Sequence, residues 1–164
     1  MIPLQEPYYY KYGACIEYNN NSYYLGESMS ENIQLSASPY IFEEMPVYFW
    51  TSAQGASYGR TSFLGFNEGN PIVLFVADGN IDFYDLDDDG VPEIISSLSG
   101  QIPSTVDIFF WCKDSNYSLT KVSVNDYLKV LSVYYRDGIF TAYETEDGSP
   151  KEYIYENGSF KPAS

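Results

Sequence analysis

Residues 134–140 read Tyr-Tyr-Arg-Asp-Gly-Ile-Phe, so an Asp-Gly pair separates two short runs of aromatic or β-branched residues. Such pairs adopt the positive φ angles that two-residue hairpin turns require, and the flanking residues favour strands. Residues 153–160 repeat this arrangement around Asn157-Gly158, and further Asp-Gly pairs occur at residues 78–79 and 147–148. Four such signals in a short chain predict an antiparallel β-meander.

Aromatic and apolar runs elsewhere in the chain predict further strands. An aromatic stretch over residues 8–18 is interrupted by three asparagines and resumes at residues 23–25, which predicts a hairpin with a polar loop. Apolar runs predict three more strands, at residues 47–50, 63–66 and 71–76. Because the chain shows no long helical pattern and no clean linker, we predict one all-β domain over residues 1–164.

Three segments carry weaker signals. Residues 26–46, rich in Ser, Glu and Pro, predict a long loop or a poorly formed strand, and residues 51–60 predict a loop. Residues 127–134 have apolar side chains at helical spacing, with Asn125 as a candidate N-cap. Because they lead directly into the turn at residues 137–138, we favour a strand there, preceded by a short helix.

The charge balance excludes several functions. The chain has 8 Lys and Arg against 23 Asp and Glu, a net charge of −15, and it contains no histidine. Phosphate binding needs clustered cations, so we expect no nucleic-acid partner, and without a long apolar run we expect no membrane insertion. The missing histidine excludes a Ser-His-Asp triad and a His-ligated zinc. We therefore expect a protein that is not an enzyme.

The two cysteines, Cys15 and Cys112, lie in apolar or aromatic stretches. This setting favours buried free thiols, and a single disulfide between the two is the alternative.

Residues 82–93 contain six carboxylates in twelve positions. At neutral pH their repulsion disfavours a compact loop unless a cation lies among them. Their spacing follows the pattern D-x-D-x-D-G-x-x-E, in which Gly90 allows a sharp turn. Calcium prefers several hard oxygen ligands, some of them backbone carbonyls. The predicted ligands are the side chains of Asp85, Asp87, Asp89 and Glu93 and the backbone carbonyl of Val91.

The loop is not an EF-hand. That motif needs a glutamate at its twelfth position, and the twelfth residue counted from Asp85 is Ser96. The residues on either side of the loop are typical of strands rather than helices. We therefore predict that the loop connects two strands.

Residues 83–95 resemble the calcium-binding core of FG-GAP/VCBS-type repeats, whose usual pattern is D-x-D-G-D-G-x-x-E/D followed by apolar residues. Residues 106–111 and 117–124 are similar to the hairpin that often follows that loop. Asp88 stands where the family often has glycine, and the chain contains one such loop. Because those repeats form blades of β-propellers, the resemblance implies propeller-like blades or a partial propeller, with a β-sandwich as the alternative.

The resemblance also implies a function. It points to a structural calcium ion in a binding or surface module of an extracellular or cell-envelope bacterial protein, whose partner is a protein or a glycan. Residues 1–7 lack the pattern of an export signal, so this reading requires that the signal has been removed. The alternative is a cytoplasmic acidic inhibitor or immunity-type protein that neutralises a basic partner such as a nuclease toxin, which the charge of −15 supports.

Overall fold

The computed structural model describes six ranges of the chain, residues 12–31, 33–42, 44–54, 59–100, 103–111 and 119–163. Within these ranges the chain forms fourteen β-strands and one short α-helix. The strands pair in antiparallel fashion with their neighbours in sequence. The predicted all-β class and the antiparallel meander are therefore confirmed.

The strands form one hairpin and three four-stranded meanders. The hairpin consists of β1 (Tyr12–Tyr18) and β2 (Asn21–Ser28). The first meander consists of β3 (Leu35–Phe42), β4 (Met45–Ala53), β5 (Gly59–Asn67) and β6 (Asn70–Asp78). The second consists of β7 (Asn80–Tyr84), β8 (Glu93–Leu98), β9 (Thr105–Trp111) and β10 (Leu119–Ser123). The third consists of β11 (Ser132–Arg136), β12 (Ile139–Tyr143), β13 (Lys151–Glu156) and β14 (Ser159–Pro162), and it follows the helix α1 (Val124–Leu128).

These four layers pack in chain order, with a hydrophobic cluster between each successive pair. The cluster between the hairpin and the first meander contains Ala14, Trp50 and Leu64. The cluster between the first and second meanders includes Tyr40, Val47, Phe63, Ile94, Phe109 and Trp111. The cluster between the second and third meanders includes Leu86, Ile95, Ile108, Val133, Phe140 and Ala142. Successive sheets packed in this way are compatible with a partial propeller and with a sandwich.

Two-residue turns of the predicted kind close four of the hairpins. Asp137-Gly138 has φ angles of 48° and 84°, and Asn157-Gly158 has 49° and 77°. Asn19-Asn20 closes the predicted first hairpin with 50° and 62°. Glu68-Gly69, which the sequence analysis did not single out, joins β5 to β6 with 50° and 78°. Positive φ at both central residues matches the right-handed twist of the paired strands.

The other two Asp-Gly pairs are not two-residue hairpin turns, so these predictions were wrong. Asp147-Gly148 lies in the longer connection between β12 and β13. Gly79 lies where the chain leaves the first meander for the second, with φ 115°. A Cβ atom at Gly79 would lie 2.5 Å from the carbonyl oxygen of Ser97. Glycine is required there by a close approach between two sheets, which a local turn rule does not capture.

The weakly patterned segment 26–46 contains regular strands, contrary to the expectation of a loop or a poorly formed strand. β2 continues to Ser28, and β3 occupies Leu35–Phe42. Pro39 lies within β3, at an edge of the meander where the register shifts. An edge or a bulge is where a sheet tolerates proline, and the Ser38 hydroxyl donates to the Val47 carbonyl at 2.8 Å.

Residues 51–60 form less loop than predicted, because β4 extends to Ala53 and β5 begins at Gly59. Residues 55–58 lie outside the described ranges. The predicted strands at residues 47–50, 63–66 and 71–76 fall within β4, β5 and β6 and are confirmed. The predicted hairpin of residues 106–111 and 117–124 is confirmed for its described strands, since β9 pairs with β10 over Leu119–Ser123. Residues 117–118 lie outside the described ranges, and Val124 begins the helix α1.

A short helix precedes β11 as predicted, but its N-cap is Ser123 and not Asn125. Asn125 is buried, and its side chain links three backbone positions. Its Oδ1 accepts from the Val106 N–H at 3.1 Å. Its Nδ2 donates to the carbonyls of Ser104 at 3.0 Å and Leu131 at 3.1 Å. This residue therefore ties the second meander to the start of the third.

Cys15 is a free thiol, as favoured, but it is exposed, so the prediction of burial was wrong. Its neighbour Ala14 takes the buried position on β1, because side chains alternate along a strand. Cys112 lies outside the described residues. No helix in the described part of the chain is long and apolar enough to cross a membrane.

We expect Asn125→Ala to lower the free energy of unfolding by about 2–4 kcal/mol, because it leaves the buried Val106 N–H without its acceptor and removes a donor from the carbonyls of Ser104 and Leu131. Asn80→Ala, at an exposed position of β7, is the matched control and should change it by less than about 0.5 kcal/mol. Urea unfolding followed by tryptophan fluorescence measures both. Equal effects of the two substitutions would contradict the linking role of Asn125.

Gly79→Ala should destabilise the protein by about 2 kcal/mol or more, because the added Cβ meets the Ser97 carbonyl and the φ angle is unfavourable for alanine. Gly13→Ala is the matched control, since a Cβ at Gly13 would make an ordinary contact of 3.5 Å with Tyr24. Thermal unfolding compares the two. A neutral Gly79→Ala variant would show that the two sheets can separate at this junction without cost.

Candidate metal centre

The acidic loop connects β7 to β8, as the sequence predicted. Tyr84 and Glu93 are register partners at the ends of the two strands, so the loop closes over a paired base. Its first buried side chain is Leu86, which lies in the cluster between the second and third meanders. The loop is therefore anchored at its base and through one apolar side chain, while its carboxylates lie nearer to solvent.

Three of the predicted ligands lie together in the structure. Ligand oxygens of Asp85, Asp87 and Asp89 all lie within 4.8 Å of one another. Asp85 is half-buried, and the other two side chains are exposed. Carboxylate oxygens at this separation can share one cation, so the group could hold a metal ion.

Backbone N–H groups of the same loop orient these carboxylates. The N–H of Asp89 donates to Oδ1 of Asp85 at 3.1 Å and to Oδ1 of Asp87 at 3.3 Å. Gly90 donates to Oδ2 of Asp85 at 3.0 Å. Val91 donates to Oδ1 of Asp89 at 2.7 Å. A carboxylate accepts about four hydrogen bonds, so each side chain held in this way keeps lone pairs for a metal ion.

Two residues in the loop adopt the left-handed conformation. Asp88 has φ 59° and Gly90 has φ 80°. Aspartate reaches this region more easily than most residues, because its short polar side chain can hydrogen-bond locally. Asp88 therefore adopts a backbone conformation that glycine would also allow, at the position where the similar repeats often carry glycine.

Glu93 lies at the base of the loop and is only 3% exposed. Its Oε2 accepts from the N–H of Leu86 at 2.7 Å. Burial raises the pKa of Glu93 to about 7, and the charges of Asp87 and Asp89 add to the rise, while the bond from Leu86 opposes it. The carboxyl of Glu93 therefore lies within the electric field of the aspartates, although its oxygens are not part of their close group.

For the three aspartates the structure shows grouped ligand oxygens, whereas for Val91 and Glu93 it shows hydrogen bonds within the loop. Val91 contributes its N–H to the loop, and Glu93 contributes one carboxylate oxygen. Cation binding by the Val91 carbonyl and by the second oxygen of Glu93 stays a prediction.

Tyr40, which no sequence pattern singled out, supports the loop from the first meander. Its hydroxyl donates to the Pro92 carbonyl, and its ring stacks on Trp111 with centroids 5.0 Å apart. Burial, with the nearby charge of Glu93, raises the pKa of Tyr40 above its usual range, so its hydroxyl stays a donor. Tyr40 lies far from the loop in sequence, and no local pattern links the two.

No protein-family model, no curated protein and no solved structure matches this chain. The resemblance to FG-GAP/VCBS-type repeats therefore rests on the residues of the loop and of the hairpin that follows, and it stays a hypothesis.

Without divalent cations, we expect the free energy of unfolding to fall as pH rises from about 5 to about 8 through the pKa of Glu93. The folded protein holds this proton with a pKa of about 7 against an ordinary value of 4.5. The stability that protonation contributes is therefore complete below the ordinary value and is lost as pH rises through about 7. Urea midpoints measured in chelator across this range test the prediction.

Glu93→Gln is the control for this pH dependence, because glutamine keeps an oxygen for the Leu86 N–H but does not titrate. Its urea midpoint should vary less with pH than that of the unmodified protein between about pH 5 and 8. If both proteins show the same pH dependence, Glu93 is not the group responsible.

Proposed function

We propose that the β7–β8 loop binds one calcium ion and that this protein is a non-enzymatic, calcium-stabilised β-rich binding or surface module. The observation that carries the proposal is the group of three aspartate oxygens within 4.8 Å of one another. These are Asp85, Asp87 and Asp89, on a loop whose two ends are held by paired strands.

The chemistry of the donor set favours calcium over other metals. All the proposed ligand atoms are oxygens, so the site has no preference for soft metals. They belong to the three aspartates, the Val91 carbonyl and Glu93. Magnesium demands a near-octahedral site and gives up its water reluctantly, whereas calcium accepts six to eight oxygens in flexible geometry. The raised pKa of Glu93 reflects in part the repulsion within the loop, which a divalent cation would reduce.

A bound ion would stabilise more than the loop itself. Leu86 packs in the cluster shared with the third meander, and the Pro92 carbonyl accepts a hydrogen bond from the hydroxyl of Tyr40 in the first meander. A loop held closed by calcium would keep both contacts in place. This supports a structural role for the ion.

The proposed setting is extracellular or at the cell envelope, where calcium reaches the concentrations that exposed sites of modest affinity need. Two of the three aspartates are exposed, which is consistent with such an affinity. In this proposal the partner is a protein or a glycan, and calcium maintains the surface that binds it.

A thermal melt in excess chelator and again in millimolar calcium tests the proposal. A ligand that binds only the folded state at about a hundredfold excess over its Kd adds about 2.7 kcal/mol to the free energy of unfolding. For a domain of this size we expect the melting temperature to rise by several degrees. Magnesium at the same concentration should produce a smaller rise, because it fits a flexible oxygen site less well.

Asp87→Ala and Asp89→Ala should each abolish most of the rise in calcium, because each removes a ligand. Asp147→Ala, at an exposed acid outside the loop, removes the same charge and should leave the rise unchanged. A melting temperature that calcium does not change, or that rises equally in all three variants, would rule out the loop as the site.

The alternative function is an acidic inhibitor of a basic protein, and the net charge of −15 favours it. Beside the loop, a cavity of about 270 Å³ combines exposed apolar side chains with carboxylates, among them Tyr84, Ile139, Ile154, Asp85, Asp88 and Glu156. Such a surface suits a lysine or arginine side chain of a partner. A melting temperature independent of calcium, together with salt-sensitive binding to a basic protein, would favour this function.

A further inference from the structure

Five places in the chain pair an aspartate or an asparagine with a following glycine. Four are Asp-Gly pairs, at residues 78–79, 89–90, 137–138 and 147–148, and the fifth is Asn157-Gly158. At such a pair the backbone nitrogen of the glycine can attack the side-chain carbonyl carbon of the residue before it, because glycine has no Cβ to hinder the approach. The reaction therefore depends on whether that nitrogen is free.

In all four Asp-Gly pairs the glycine N–H donates a hydrogen bond. The donors and acceptors are Gly79 and the Gly59 carbonyl at 2.7 Å, Gly148 and the Thr145 carbonyl at 3.1 Å, Gly90 and Oδ2 of Asp85 at 3.0 Å, and Gly138 and the Tyr135 hydroxyl at 3.1 Å. A nitrogen held in this way must break its hydrogen bond before it can attack, so these pairs are protected by the fold.

The Asn157-Gly158 pair differs from these four. It forms the turn between β13 and β14, and Glu156 and Ser159 are the paired residues on either side. Among the residues that the structure describes, none accepts a hydrogen bond from the Gly158 N–H. Both turn residues are exposed, and a Cβ at Gly158 would meet no atom within 4 Å. The attacking nitrogen is therefore free, and solvent reaches the turn.

Asp137-Gly138 is the closest comparison within the molecule, since it forms the same kind of turn. Its φ angles are 48° and 84°, against 49° and 77° at Asn157-Gly158. Tyr84 covers Gly138, because a Cβ there would lie 3.0 Å from Cζ and from the hydroxyl oxygen of Tyr84. The two turns share their φ angles and differ in whether the glycine nitrogen is bonded and covered.

We propose that Asn157-Gly158 is a modification site at which the folded protein deamidates, with water as the reactant. The Gly158 nitrogen loses its proton to hydroxide and bonds to Cγ of Asn157, and the side-chain nitrogen leaves as ammonia. Water then opens the succinimide that has formed. Opening at Cγ gives aspartate, whereas opening at the backbone carbonyl carbon gives isoaspartate, in which the chain runs through Cβ and Cγ. Each product has gained a water molecule and lost ammonia.

The modification changes the third meander in two ways. A carboxylate replaces the amide next to Glu156, whose ion pair with Lys161 at 2.8 Å spans the hairpin. Isoaspartate also adds a methylene to the backbone of the turn that joins β13 to β14. Because Phe160 of β14 packs against the cluster between the second and third meanders, we expect isoaspartate to weaken that packing. The reaction needs neither calcium nor a partner, so it does not depend on the proposed function.

Peptide mass spectrometry of aged protein tests the proposal, with Asp137→Asn as the matched control. This substitution creates the same pair of residue types in the turn whose glycine nitrogen is bonded and covered. Asparagine suits such a turn as well as aspartate does, so the fold is retained. The folded variant is incubated for several weeks at physiological temperature in mildly alkaline buffer and is then digested. Both positions are thus compared within a single protein.

The peptide containing residue 157 should gain about 1 Da and separate into aspartate and isoaspartate forms. Position 137 of the variant should react at least about tenfold more slowly while the protein is folded. In concentrated urea both turns are lost, and the two positions should react at similar rates. Equal rates in the folded variant would overturn the proposal, and so would an Asn157 that reacts only in urea.

Thermal unfolding tests the expected effect on the hairpin. Anion exchange isolates the aged protein by its added negative charge, and Asn157→Asp is the control, because it carries that charge on a backbone of unchanged length. The aged fraction, which contains isoaspartate, should melt at least about 2 °C below Asn157→Asp. Equal melting temperatures would overturn the weakening of the β13–β14 hairpin.

Discussion

The second meander has to be covered on both faces, and much of the architecture follows from this constraint. Ile94 and Ile95 are consecutive residues of β8, and both are completely buried. Because side chains alternate across a sheet, Ile94 packs toward the first meander and Ile95 toward the third. A single strand therefore contributes to two cores, and neither neighbouring sheet can be removed without exposing one of them.

The acidic loop is the end of that same strand pair, so its electrostatics and the packing are coupled. Glu93, the first residue of β8, precedes Ile94 and lies buried beneath the aspartates. Its raised pKa has burial as the main cause, with added repulsion from the carboxylates. Packing creates this unfavourable charge environment, and a cation is the group that would relieve it. The proposed calcium site is thus a consequence of how tightly the β7–β8 hairpin is enclosed.

The hairpin layer shows the opposite situation, because it covers only part of the sheet beneath it. Two strands cannot shield a four-stranded face, and the uncovered part contains Val73, Val76 and a cavity bounded by Trp50. The acidic loop and this cavity lie on different sides of the first meander. Tyr40 connects the meander to the acidic loop on one side, and Trp50 lines the cavity on the other.

Local chemistry in the sequence determined the all-β class, the Asp137-Gly138 and Asn157-Gly158 turns, and the grouping of three aspartates, because each depends on neighbours within a few residues. The tertiary structure alone decided that Pro39 lies in an edge strand, that Gly79 marks a sheet junction and that Asn125 links backbone segments instead of capping the helix. It also decided that Tyr40 supports the loop and that Trp50 borders a cavity. These roles depend on residues far away in the chain, whose approach is set by sheet packing and not by local conformational preference.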